Sequence, residues 1–165
     1  MTRATADDVN TRFRIGIVGH GFVGQAVEYA FMHPLVDFNY YDPKYETDLD
    51  DLTDFSADRH PKCFFICAPT PSADDGSVDS SIVEESVIKC LNYTDALVVV
   101  KSTITPESID RLYSTMSREQ IDRFVYNPEF LTEKNAKADF VGAKFHVIGG
   151  MPVAARELID VYEIF

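Results

Sequence analysis

The sequence predicts an α/β domain with a doubly wound, mostly parallel, six-stranded sheet covered by helices on both faces. Three observations predict it. Six short runs, residues 14–18, 38–41, 63–67, 96–100, 123–126 and 146–149, have strand length and are bounded by turn-forming residues. Most are apolar at successive positions instead of alternate ones, as strands buried on both faces must be. Between them lie segments with helical spacing of apolar side chains, long enough for crossover helices that make neighbouring strands parallel.

Residues 1–13 form a polar leader, and strand 14–18 opens the domain. Phe22, Ala26 and Ala30, with Val23, Val27 and Phe31, then recur at helical spacing. That helix should stop near His33, because Pro34 drives the preceding residue away from helical angles. The strand at 38–41 is closed by Asp42-Pro43, and 44–62 is polar and weakly patterned, which leaves helix and loop both open. After strand 63–67 and a turn-rich stretch at 69–77, Ile82, Val83, Val87, Cys90 and Leu91 mark a helix, with Ser81 and Glu84 spaced as a capping box. Strand 96–100 follows. Thr105-Pro106-Glu107 combines a capping residue, a proline at the first helical position and an early acid, ahead of the apolar face Ile109, Leu112, Tyr113 and Met116. Strand 123–126, a short helix at 132–138, strand 146–149 and a closing helix at 153–165 complete the order.

A length of 165 residues with 45% hydrophobic content suits one domain, which we place at 14–165. Twenty-seven acidic against fifteen basic side chains give a formal charge of -12, which repels nucleic-acid and anionic-lipid phosphates. Neither nucleic acid nor a membrane is an expected partner. No apolar run reaches bilayer length and the first ten residues have no signal-peptide middle, so a cytoplasmic location is expected. Cys63, Cys67 and Cys90 lack paired ligand spacing and read as reduced, buried thiols, and no metal site is expected. The residues leave the oligomeric state open.

Gly19-His20-Gly21-Phe22-Val23-Gly24 lies between a strand and a helix. Gly19 permits the tight turn, Gly21 lets the backbone approach a pyrophosphate, and Gly24 lets helix pack on strand, while the N–H groups from Phe22 and Val23 onward face the anion. This is the Rossmann-type fingerprint. Asp42 ends the second strand 18 residues beyond Gly24, near the interval at which a carboxylate meets the adenosine ribose. It would repel the 2′-phosphate of NADP, so NAD is the expected cofactor although Lys44 stands close by.

Four ordered motifs resemble the NAD-binding domain of the UDP-glucose/GDP-mannose dehydrogenase family: the glycine turn, Cys67-Ala-Pro-Thr-Pro71 followed by Asp79, Lys101-Ser-Thr103, and Asn127-Pro-Glu-Phe-Leu-Thr-Glu133 with Ala136 and Asp139 beyond. The resemblance implies that Pro69 and Thr70 border the cofactor and that Thr103 borders it and helps hold a catalytic water. It further implies that Glu133 activates or positions that water, and that Phe130, Leu131 and Thr132 line a sugar nucleotide with Glu133. Glu129, four residues earlier and able to share a helical face with Glu133, reads as structural. Thr132, Lys134, Asn135, Ala143 and Phe145 depart from the family pattern on the substrate side.

The implied reaction oxidises the C6 alcohol of UDP-glucose to the carboxylate with two NAD, GDP-mannose and UDP-N-acetyl sugars being alternative substrates and a non-catalytic dinucleotide-binding module a further alternative. Its second step needs a cysteine nucleophile. In the family this lies in a Phe-Gly-Gly-x-Cys motif beyond the NAD-binding domain, and these 165 residues do not contain it. The expectation is a domain without the family's central helix and C-terminal substrate domain. It would bind NAD and need that substrate domain to engage a UDP-sugar and complete the oxidation.

Overall fold

The computed structural model describes residues 12–53, 60–73 and 75–163. Most of the polar leader and the final two residues expected in the closing helix lie outside them. The elements run β1 (Phe13–Val18), α1 (Phe22–Ala30), β2 (Val36–Tyr41), β3 (Cys63–Ile66), α2 (Ser81–Tyr93), β4 (Leu97–Val100), α3 (Pro106–Thr115), α4 (Arg118–Ile121), β5 (Phe124–Tyr126), α5 (Ala136–Val141), β6 (Gly149–Gly150) and α6 (Pro152–Glu163). The sheet order is β2-β1-β3-β4-β5-β6. The first five strands are mutually parallel and β6 is antiparallel to β5. The predicted doubly wound, mostly parallel sheet is therefore the observed one.

Side-chain alternation along the central strands explains the unbroken apolar runs. In β3, Phe64 and Ile66 join the core under α2 and α3, while Cys63 and Phe65 join the core under α1, α5 and α6. In β4, Val98 and Val100 divide from Leu97 and Val99 in the same way. Each strand serves two cores, so no position can be polar.

Several boundaries differ from expectation. Helix α1 ends at Ala30, before His33, because the Phe31 N–H closes the last turn on the Val27 carbonyl and the Phe31 ring turns into the core. Segment 43–53 makes two short 3-10 turns, Pro43–Tyr45 and Leu49–Thr53. At α2 the capping residue is Ser80, not Ser81: the Ser80 hydroxyl donates to Glu84 Oε1 at 2.6 Å, and Asp79 Oδ1 accepts the Ser81 N–H. The Thr105 cap of α3 is as expected, its hydroxyl accepting the Ser108 N–H. Helix α4, opened by a Ser117–Gln120 capping box, was not anticipated.

Two corrections fall near the substrate-side motif. The helix expected at 132–138 is a 3-10 turn, Glu133–Asn135, followed by α5. The sixth strand is shorter and later than 146–149, because only Gly149 and Gly150 pair with β5 while His146 leaves the sheet to stack on Tyr162 at 4.8 Å between ring centroids.

Candidate functional site

Each motif singled out in the sequence lies just past the carboxyl end of a strand, and β1 sits where the chain reverses direction across the sheet, with β2 on one side and β3 on the other. Crevices at such reversals are where open parallel sheets hold ligands.

The loop between β1 and α1 is shaped by its glycines. Gly19 adopts φ +83°, in the left-handed region, and a side chain there would stand 2.7 Å from the Cys67 carbonyl oxygen. A side chain at buried Gly24 would collide with the Gly19 carbonyl oxygen. At Gly21 a Cβ would meet nothing within 4 Å. Space above Gly21 is thus open while its neighbours are packed shut. Helix α1 starts at Phe22 with no side-chain cap and no acid in its first turn, so its first N–H groups point into the opening with their positive end uncompensated.

Asp42 stands across that opening. Its Oδ2 accepts the His20 N–H at 2.6 Å and its Oδ1 accepts the Lys44 N–H at 3.0 Å. Burial raises its pKa, but these two donors and the Lys44 charge outweigh that and hold the carboxyl below the usual aspartate range. Behind it the His20 ring is buried between Tyr40 and Tyr45. Its Nε2 lies 2.7 Å from Glu28 Oε2 and its Nδ1 2.7 Å from the Tyr45 hydroxyl. Both ring nitrogens therefore have hydrogen-bond partners.

The loops after β3 and β4 are stitched together. Ser102 Oγ donates to the Ala68 carbonyl at 2.6 Å, and the Lys101 and Ser102 N–H groups share the Ile66 carbonyl. This hold presents Pro69, Thr70 and the exposed Thr103 to the same opening.

Lys101 forms the floor and is almost wholly buried. Its ammonium pairs with Glu129 and donates to Asn127 Oδ1 at 2.6 Å and to the Tyr162 hydroxyl at 3.0 Å. Burial draws the Lys101 pKa down, and the Glu129 charge opposes that shift. Glu129 lies outside any helix or strand and does not share a helical face with Glu133.

The result is a cleft of about 610 Å³ lined by Gly19, Gly21, Phe22, Val23, Asp42, Pro69, Thr70 and Thr103, with Leu131 and the Lys101–Glu129 pair deeper in. Its size, a glycine cradle for a pyrophosphate and a carboxylate placed for a ribose fit a bound dinucleotide. Glu133 does not line this cleft. It lies in an adjoining hollow with Gln25 and Lys137, and Phe22 forms the wall common to both. Phe130 is exposed beside Phe145 at 6.0 Å, and Thr132 is held by its N–H and hydroxyl on Asp139 Oδ2. Among the described residues no cluster of His, Cys, Asp or Glu could hold a metal, and no helix is long and apolar enough to cross a membrane.

Sequence reasoning passed over the His20 cluster and the Lys101–Asn127–Tyr162 network. His20, Lys101 and Asn127 each stand inside a motif, but nothing in the motifs names their partners, and Tyr162 carries no local signal.

A model of the UDP-glucose/GDP-mannose dehydrogenase family, NAD binding domain, matches residues 43–165. The UDP-glucose 6-dehydrogenase of Rickettsia bellii is 34% identical over 94 residues, covering 55% of this chain and 22% of that protein. The UDP-N-acetyl-D-mannosamine dehydrogenase of Methanococcus vannielii is 34% identical over 112 residues, covering 62% and 25%. The solved UDP-glucose dehydrogenase of Pyrobaculum islandicum superposes with a TM-score of 0.68 at 26% identity, over 92% of this chain and 44% of that one. The chain thus spans about a quarter or less of the two curated relatives.

Proposed function

The chain belongs to the UDP-glucose/GDP-mannose dehydrogenase family as an NAD-binding domain, and from that premise we propose that it is the cofactor-holding part of a cytoplasmic enzyme oxidising the C6 alcohol of UDP-glucose to UDP-glucuronate. The observation that carries this reading is the single cleft in which the glycine turn, Asp42, Thr70 and Thr103 meet. NAD bound there supplies the hydride acceptor. The N–H groups at the start of α1 hold its pyrophosphate, Asp42 accepts from the ribose hydroxyls, and Pro69 and Thr70 border it.

On the substrate side, the Thr103 hydroxyl helps hold a water that Glu133 activates. Phe130, Leu131 and Thr132 line the sugar nucleotide. Because Glu133 sits beyond Phe22, this role requires segment 130–135 to fold toward the cleft when a sugar nucleotide enters. The second oxidation needs a thiolate. Cys67 lines the cleft but is buried, and burial pushes its thiol up to about 12, which disqualifies it as a nucleophile at neutral pH. The 165-residue chain therefore binds NAD without completing the oxidation.

The similarity to a UDP-N-acetyl-D-mannosamine dehydrogenase favours a UDP-N-acetyl sugar as the second substrate reading. Calorimetric titration of the chain with NAD, UDP-glucose and UDP-N-acetylmannosamine, alongside a turnover assay, tests the proposal. NAD should bind, both sugar nucleotides should bind weakly, and no NADH should form. Sustained turnover of UDP-glucose by this chain alone would overturn the division of labour.

A further inference from the structure

Lys44 is an exposed cation two residues beyond Asp42, which lines the cleft where a dinucleotide's adenosine ribose would lie. A cation in that place ordinarily favours a 2′-phosphate and hence NADP. Here its ammonium is already engaged: Nζ donates to the His20 carbonyl oxygen at 2.5 Å and lies 4.9 Å from the centroid of the Tyr45 ring. Both partners are themselves fixed. The Tyr45 hydroxyl bonds His20 Nδ1 at 2.7 Å, the His20 ring packs 4.7 Å from that of Tyr40, and Glu28 holds both His20 Nε2 and the Tyr40 hydroxyl. Gly19 N–H on the Tyr41 carbonyl and His20 N–H on Asp42 tie the glycine turn to the end of β2, so the accepting carbonyl cannot swing away without breaking the turn.

We propose that Tyr45 and His20 are specificity-determining residues: by holding the Lys44 ammonium between a carbonyl oxygen and an aromatic face, they withhold it from a 2′-phosphate and set the preference for NAD over NADP. Asp42 repels the 2′-phosphate directly, and the clamp denies that phosphate a direct contact with the ammonium. The ammonium loses little by this, because the carbonyl and the ring face replace part of its hydration. A free Lys44 would soften the discrimination by an exposed charge–charge contact, about threefold in dissociation constant. The inference rests on the reading that Asp42 faces the adenosine ribose.

The test is calorimetric titration of the full chain with NAD and with NADP, in the unaltered protein and in D42A, K44Q, Y45A and the K44Q/Y45A double variant. K44Q alone should leave the NADP dissociation constant unchanged within twofold, since the clamped ammonium makes no contact with the 2′-phosphate and acts on it only through solvent. Y45A should tighten NADP binding about threefold while NAD binding stays within twofold, and adding K44Q should abolish that gain. A gain of binding cannot come from a folding defect, and K44Q in the otherwise unaltered chain distinguishes a clamped lysine from a free one even where Y45A folds poorly. The clamp is overturned if K44Q alone weakens NADP binding threefold or more, if a folded Y45A leaves it unchanged, or if the gain survives K44Q. NAD binding unaltered by D42A overturns the ribose reading instead, and is recognisable separately.

Discussion

The backbone N–H of His20 donates to Asp42 Oδ2 at 2.6 Å, joining the glycine turn to the end of the second strand. One carboxylate thereby braces the turn and keeps lone pairs for a ligand. Asp42→Ala should weaken NAD binding about tenfold or more, the effect of losing a hydrogen bond to a charged group, as read by calorimetric titration.

The same carboxylate predicts a pH dependence. Burial raises its pKa, but the His20 and Lys44 N–H groups and the Lys44 charge lower it more, so the folded value lies below the unfolded one. In the folded chain the Asp42 carboxylate that accepts from a ribose is therefore fully present at and above the ordinary aspartate value of about 3.9, and is lost only as pH falls through its own lower value. NAD affinity should be level from pH 8 to pH 5 as far as Asp42 governs it, with the loss confined to pH below about 4. Titrations across that range in the unaltered chain and in Asp42→Asn check this.

Gly21 and Gly24 should respond oppositely to one added methyl group. Gly24→Ala drives a Cβ into the Gly19 carbonyl and should cost about 1–3 kcal/mol of stability in urea unfolding. Gly21→Ala meets nothing within 4 Å, so the unliganded fold should be unaffected while NAD binding falls, because the methyl occupies the space reserved for the pyrophosphate.

The buried Lys101–Glu129 pair should behave as a unit. Lys101→Met alone leaves a buried carboxylate without its cation and should cost about 3–5 kcal/mol. Pairing it with Glu129→Gln should recover much of that loss. Urea unfolding of the two single variants and the double variant measures the coupling.

Cys63, Cys67 and Cys90 are free and buried, and burial raises all three thiols, Cys67 to about 12. At pH 8 a disulfide-exchange reagent should label none of them quickly in the native chain and all three in urea. Fast labelling of Cys67 in the native chain would show that the cleft opens further than the structure describes.

Much of this was legible in the chain itself. Strands β3 and β4 were readable because burial on both faces demands apolar residues at every position, and the Thr105-Pro106 start of α3 because capping is a local matter. The glycine turn and Asp42 were readable because backbone conformation at Gly19 and the spacing along one strand–helix–strand unit are also local. Tertiary structure alone decided the rest. His146 leaves the sheet because a ring from α6, Tyr162, is there to stack on it. Lys101 becomes a buried floor because Glu129, Asn127 and Tyr162, distant in sequence, converge on its ammonium. Lys44, which in sequence looks available for a phosphate, is engaged because folding brings the His20 carbonyl and the Tyr45 ring to it. Periodicity and capping are written in neighbouring residues, whereas the partner of a charge is fixed only when the strands are assembled.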